Sequence, residues 1–117
     1  MFPTPEETEI TPAELQSLLS DDESPPFRLI DCREEDEYAF CRIEKGELIP
    51  LSRFAEEAAT RLLANDDPVP VIVYCHHGIR SMSATMYLRG QGLPNTWSLA
   101  GGIDLWSAQI DPEVPRY

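Results

Sequence analysis

Val69-Pro70-Val71-Ile72-Val73-Tyr74 runs directly into Cys75-His76-His77-Gly78-Ile79-Arg80-Ser81, and this junction constrains the fold more than any other stretch of the chain. A short β-branched run that is apolar on both faces reads as a strand buried inside a parallel sheet. The loop after it carries a central glycine and an arginine. From Ser81 to Arg89 the spacing is helical, with Met82, Ala84, Thr85, Tyr87 and Leu88 as packing positions. Strand, loop and helix in that order put a thiol at the first position of a loop closing on a helix N-terminus. Backbone N–H groups converge there, and the helix dipole favours negative charge. A cysteine so placed loses its proton readily, and the thiolate is the nucleophile.

The rest of the chain alternates in the same way. Thr11-Pro12 gives a cap residue followed by proline at the first turn of a helix whose apolar face is Leu15, Leu18 and Leu19. Phe27 to Asp31 predicts a short strand, Arg33 to Phe40 a short acidic helix, and Leu48 to Leu51 a short extended piece. Ser52 is expected to cap a helix carrying Phe54, Ala55, Ala58, Ala59, Leu62 and Leu63. Gly90 and Gly92 end the helix after the cysteine loop. Thr96 to Leu99 is a last strand, and Gly101-Gly102 turns into a helix with Leu105 and Trp106. Strands alternating with helices predict an α/β layer fold on a mainly parallel sheet, with ligands beyond the carboxyl ends of the strands, where Cys75 lies.

Length and charge narrow the partners. A chain of 117 residues is expected to form one domain over 1–117, with its core across about 10–108 and peripheral ends. Nine basic against 21 acidic residues give a formal charge of −12, which argues against nucleic acid or an anionic membrane as partner. An anionic substrate therefore needs local positive character. Met1 to Ile10 has neither the basic start nor the apolar run of a signal peptide, and no segment is apolar enough to span a bilayer. Cys32, Cys41 and Cys75 are odd in number and without framework spacing, which points to free thiols in a reducing, cytoplasmic setting.

Three separated motifs resemble those of the single-domain rhodaneses, sulfurtransferases whose superfamily shares its fold with the cell-cycle dual-specificity phosphatases. Asp31-Cys32-Arg33-Glu34 with Glu37-Tyr38 is similar to the family's D-x-R-E-x-x-E-[YF] segment, Cys75 to Ser81 to its C-x-x-G-x-R-S loop, and Gly101 to Trp106 to its G-G-x-x-x-W signature. Each motif alone is weak; the three in order, across roughly Ile10 to Trp106, are strong. The resemblance implies a rhodanese-like three-layer sandwich, a five-stranded sheet with helices on both faces. One stretch departs from the family pattern: after Tyr38 the chain reads Cys41-Arg42-Ile43-Glu44-Lys45-Gly46 where the family has G-H-I and then P-G-A. Arg42 is expected to bring positive charge toward the pocket mouth.

The resemblance also implies a chemistry. From Cys75 to Arg80 the loop has six residues, as in the sulfurtransferases, whereas the related phosphatases carry one more and so make room for a tetrahedral phosphate. Cys75 would take the outer sulfur of thiosulfate, mercaptopyruvate or a protein persulfide and pass it to a thiophilic acceptor, cyanide or a sulfur-carrier protein among them. The loop of His76, His77, Gly78, Ile79, Arg80 and Ser81 would hold the persulfide through its N–H groups. No cofactor is implied. The competing classes are a cysteine-dependent phosphatase and a non-catalytic rhodanese-like module that binds a partner through its acidic surface.

Each side chain also has a plainer role. Arg80 is read as a loop fastener paired with an acidic residue such as Glu34, in preference to a substrate clamp. Ser81 is read as a helix cap, with a hydrogen bond to sulfur as the lesser reading. Asp31 and Arg33 are expected to hold the strand end and loop together. Zinc wants four ligands, and His76-His77 has no second Cys/His pair to complete a site, so no metal is expected. At most one of these histidines should face the pocket, lending charge when protonated. Cys32, at another strand end, reads as a core residue, with a resolving thiol for Cys75 as the alternative. Trp97 and Trp106 are core anchors.

Overall fold

The computed structural model describes all 117 residues. Its centre is a sheet of five strands: β1 (Glu9–Ile10), β2 (Arg28–Asp31), β3 (Gly46–Leu48), β4 (Val71–Tyr74) and β5 (Thr96–Leu99). They lie in the order β1-β5-β4-β2-β3, and every pairing is parallel. The helices are α1 (Pro12–Ser20), α2 (Glu35–Phe40), α3 (Phe54–Ala58), α4 (Ile79–Gly90) and α5 (Gly102–Gln109). None is long and apolar enough to cross a membrane.

Alternation along the central strands divides the core in two. Leu29, Ile72, Tyr74, Trp97 and Leu99 face one way, onto Leu15 and Leu18 of α1 and Ile103 and Trp106 of α5. Ile30, Val71 and Val73 face the other, onto Phe54, Ala58 and Leu62 of the α3 segment and Ala84 and Leu88 of α4. Both faces of β4 are therefore covered, so all four of its residues are buried. Cys32 and Cys75, one residue beyond β2 and β4, fall together on the α3/α4 face.

Several element ends differ from expectation. The Thr11 cap of α1 holds as a capping box: its hydroxyl accepts from the Glu14 N–H, and the Glu14 carboxylate accepts from the Thr11 N–H at 2.9 Å. Ser52 caps nothing. Its hydroxyl donates to Glu34 at 2.6 Å, and the segment runs as a 3-10 turn over Leu51–Arg53, α3, and a π turn over Ala59–Leu63. Phe54, Ala58 and Leu62 still reach the core because the i, i+4, i+8 spacing survives these changes of pitch. The extended piece expected over Leu48–Leu51 begins two residues earlier as β3. Its hydrogen bonding to the end of β2 continues through Ile49 N–H to Asp31 O and Leu51 N–H to Cys32 O.

The chain ends, largely exposed, send a few side chains back onto the domain. Phe2 stacks on Trp97, whose indole N–H donates to Thr4 O at 3.0 Å. At the other end Arg116 pairs with Asp104 in α5, and the Tyr117 hydroxyl accepts from Arg33 at 2.9 Å.

Arg33 is fully buried, and so is its partner Asp31 at 2.7 Å. The guanidinium also donates to Cys41 O at 2.6 Å and Glu37 O at 3.4 Å, tying the end of β2 to the C-terminus of α2. Asp31 and Arg33 thus hold the strand end, as expected, but the element they fasten is α2 and not the Cys75 loop. The departure at Cys41–Gly46 fits this frame: Cys41 supplies the carbonyl that Arg33 needs, and the buried Ile43 donates its N–H to the Tyr74 hydroxyl at 3.1 Å. Removing one member of a buried pair leaves the other charge uncompensated. Replacing Arg33 by Met is expected to cost about 3–5 kcal/mol of unfolding free energy, read by urea denaturation.

Candidate active site

β4 delivers Cys75 to the carboxyl edge of the sheet, and Gly78, at φ +107°, turns the chain into α4. A positive φ of that kind suits glycine. The Cys75 sulfur is almost wholly buried, with 1% of the residue exposed. It accepts from Gly78 N–H at 3.1 Å and Ser81 N–H at 3.3 Å, and Ser81 Oγ lies 3.4 Å away. Ser81 Oγ is 2.7 Å from Ser98 Oγ on β5, so the thiolate is served by a relay of two hydroxyls. Ser81 therefore reverses the expected order of its readings. The helix starts at Ile79 with Gly78 as its cap, and Ser81, inside the first turn, is a sulfur ligand.

Cys32 is the other partner of this thiolate. The neighbouring Cys32 thiol is the largest influence lowering the Cys75 pKa, to about 4; burial opposes this, and Ser81 and the Gly78 N–H add to it. Cys32 moves the opposite way, held well above the ordinary thiol range first by the Cys75 thiolate and then by burial. Two thiols this close cannot both ionise, and Cys75 is the one that does.

Arg80 fastens the loop, as expected, but to Glu37 and not to Glu34. The pair is bidentate at 2.6 and 2.9 Å. Glu34 is occupied by Ser52. Glu37 also accepts from the Tyr117 hydroxyl at 2.7 Å, and its pKa falls to about 2, with Arg80 as the main cause. From the other side, the first N–H groups of α5 pin the loop: Ile103 N–H donates to Cys75 O at 2.8 Å and Asp104 N–H to His76 O at 3.1 Å. Gly102 lies so close to those two carbonyls that any β-carbon would collide with them.

The remaining residues settle as follows. Neither imidazole hydrogen-bonds the sulfur. His76 is partly buried and stacks on Tyr117, ring centroids 3.8 Å apart and planes within 6°, leaving its Nε2 buried without a partner. His77 is exposed, with Nδ1 3.8 Å from Asp104. Ile79 projects from the rim, 80% exposed. No three His, Cys, Asp or Glu side chains are grouped to hold a metal ion. Arg42 is not at the mouth: its guanidinium lies 4.7 Å over the Tyr38 ring and lines a separate hollow with Lys45, Trp106 and Val114. Sequence reasoning missed Ser98 and Tyr117. Glu37 and Gly102 stood inside the quoted motifs without a role.

With this geometry in view, the comparisons with known proteins are specific. The family profile described as Rhodanese-like domain matches residues 11–109. The chain belongs to the rhodanese-like family. A rhodanese-related protein from Thermoplasma volcanium superimposes with a TM-score of 0.75 at 28% identity, covering 94% of this chain and 99% of that one. The thiosulfate sulfurtransferase GlpE of Pseudomonas fluorescens is 34% identical over 86 residues, 74% of this chain and 75% of that protein. The probable adenylyltransferase/sulfurtransferase MoeZ of Mycobacterium tuberculosis is 32% identical over 108 residues, 92% of this chain and 26% of that protein. The chain spans between 22% and 36% of the length of the longer curated relatives it matches.

The depressed Cys75 pKa has a pH consequence. An unfolded thiol titrates near 9.0, so the thiolate's contribution to stability is complete above that value and is lost as pH falls through about 4. In a difference titration of ultraviolet thiolate absorbance against Cys75→Ser, the Cys75 signal is expected to persist unchanged from neutral pH into the acid range and vanish near pH 4.

Proposed function

We propose that this rhodanese-like protein is a sulfurtransferase carrying sulfane sulfur as a persulfide on Cys75. The observation that carries the reading is a buried sulfur met by two backbone N–H groups and a hydroxyl inside a six-residue loop. Such a cradle stabilises a sulfur-borne negative charge while leaving space only for something small.

In the first step the Cys75 thiolate attacks the outer sulfur of thiosulfate; the S–S bond of the donor breaks and sulfite leaves with its electron pair. The persulfide's outer sulfur then bears the charge, placed among the N–H groups of the loop and the N-terminal dipole of α4. In the second step a thiophilic acceptor bonds to that outer sulfur and the Cys75 thiolate is the leaving group. Its low pKa makes it a good one. Cyanide serves as acceptor in vitro, giving thiocyanate. A sulfur-carrier protein is the acceptor suggested by relatives named as paired adenylyltransferases and sulfurtransferases. Asp31, Arg33, Glu34 and Glu37 support the loop and strand end without touching the sulfur, and Arg80 acts through Glu37.

Incubation with thiosulfate is expected to add one sulfur mass to Cys75 in the intact-protein spectrum and to support thiocyanate formation with cyanide. Cys75→Ser abolishes both while the folded circular dichroism spectrum is retained. A wild-type protein that never gains sulfur from any donor overturns the reading. Turnover of an aryl phosphate that depends on Cys75 favours the phosphatase class instead.

The loop fastener gives a separate outcome. The Arg80–Glu37 pair is partly exposed, so Glu37→Gln is expected to cost about 1 kcal/mol of stability or less. Losing the loop's anchor is expected to slow thiosulfate turnover by about ten-fold, a small displacement of a reacting group being enough for that. Equilibrium unfolding and steady-state thiocyanate assays read the two effects apart.

A further inference from the structure

Cys32 is a nucleophilic side chain that sulfur transfer by Cys75 does not require. β2 and β4 pair in parallel with Asp31 opposite Tyr74, and Cys32 N–H donates to Tyr74 O at 3.0 Å, so the register continues to place Cys32 beside Cys75. Both side chains point to the same face and pack in the same apolar cluster. Neighbouring strands run about 4.8 Å apart, inside the Cα separation that a disulfide spans. The loop's N–H donors reach the sulfur from the α4 end, and Cys32, fully buried, approaches it from within the sheet. With an outer sulfur held by the loop, the inner Cys75 sulfur would still adjoin Cys32 on the sheet side.

We infer that Cys32 is a resolving thiol that discharges the Cys75 persulfide as hydrosulfide, giving this chain a sulfide-releasing activity besides transfer. The inference rests on the reading of Cys75 as a persulfide carrier. The Cys32 sulfur bonds to Cys75 Sγ as the bond from Sγ to the outer sulfur breaks. The electron pair of that bond and the proton of Cys32 leave with the outer sulfur, as hydrosulfide. The sulfane sulfur is reduced to sulfide, and the two cysteine sulfurs are oxidised to a Cys32–Cys75 disulfide. An external dithiol then reduces the disulfide and restores both thiols.

Loading itself arms the step. In the free protein the chief influence keeping Cys32 protonated is the Cys75 thiolate beside it. A persulfide moves that charge one sulfur outward, and the inner sulfur becomes neutral. The Arg80 charge, which favours ionised Cys32, remains. Attack thus becomes available only once there is a sulfur to expel. An acceptor bound at the loop competes with it for the same persulfide, so transfer and release partition by acceptor supply.

The experiment loads wild type, Cys32→Ala and Cys32→Val with thiosulfate, and in parallel with inorganic polysulfide, under argon. Excess donor is removed, and intact mass and trapped sulfide are then followed over time. Wild type is expected to lose the added sulfur, release one equivalent of sulfide and finish two hydrogens lighter than the reduced protein. A peptide pair linking Cys32 to Cys75 appears on non-reducing digestion. Both variants load more slowly, having lost the thiol that chiefly favours the Cys75 thiolate, and once loaded keep the added sulfur. A wild-type persulfide as persistent as those of the variants, with no linked peptide, overturns this inference and leaves the Cys75 reading standing. A protein that takes sulfur on Cys75 from neither reagent overturns both. Should either variant fold poorly, the mass of wild type and its linked peptide decide the matter alone.

Discussion

The carbonyl oxygens of Cys75 and His76 are held by the first N–H groups of α5, and the orientation of the cysteine loop depends on that contact. The start of a helix has N–H groups without partners inside the helix. Here two of them are satisfied by the loop. With those carbonyls turned away toward α5, and with Gly78 reversing the chain, the N–H groups of Gly78 and Ser81 face the sulfur. Gly102 permits the approach because it has no β-carbon to collide with the carbonyls. The Gly101-Gly102 step thus acts on the site from the opposite side of the loop, and Ile103 and Trp106 anchor α5 in the core so that its N-terminus stays where the loop needs it.

The same arrangement accounts for how an acidic chain manages an anionic sulfur. The cations nearest the loop are already committed: Arg80 to Glu37, Arg33 to Asp31, and Arg116 to Asp104. What stabilises the thiolate is a set of fixed dipoles, backbone N–H groups and the Ser81 hydroxyl backed by Ser98, together with the proton of Cys32. Dipoles held by helix and sheet do not reorganise when charge moves from the thiolate to a sulfur one bond farther out. They are also buried, so salt screens them little.

Much of this was legible along the chain because it is local. The both-faces-apolar run of β4, the Thr11-Pro12 start of α1 and the six-residue loop follow from neighbours within a few positions. What escaped was long-range or depended on competition for partners. Tyr117 meets Glu37 and Arg33 from 80 and 84 residues away, with no signal in the composition of the last turn. Ser52 and Glu34 carried the right chemistry for a cap and a salt bridge, but each satisfies the other, which leaves Glu37 to Arg80. Ser81 reads as a cap when the helix is taken to begin there; two residues of extra helix place it inside the first turn, against the sulfur.

Three cysteines of identical chemistry are separated by their surroundings alone. Cys41 serves through its carbonyl, with its thiol 3.8 Å from a guanidinium already paired with Asp31. Cys32 and Cys75 differ by one strand in the sheet, yet only Cys75 is met by backbone N–H groups of the loop and helix that follow it, those of Gly78 and Ser81, whereas β2 leads through the buried Arg33 into α2. The fold thus gives one thiol the charge and its neighbour the proton. That asymmetry lasts only while the charge remains on the inner sulfur, and any chemistry that moves it outward changes the state of both residues together.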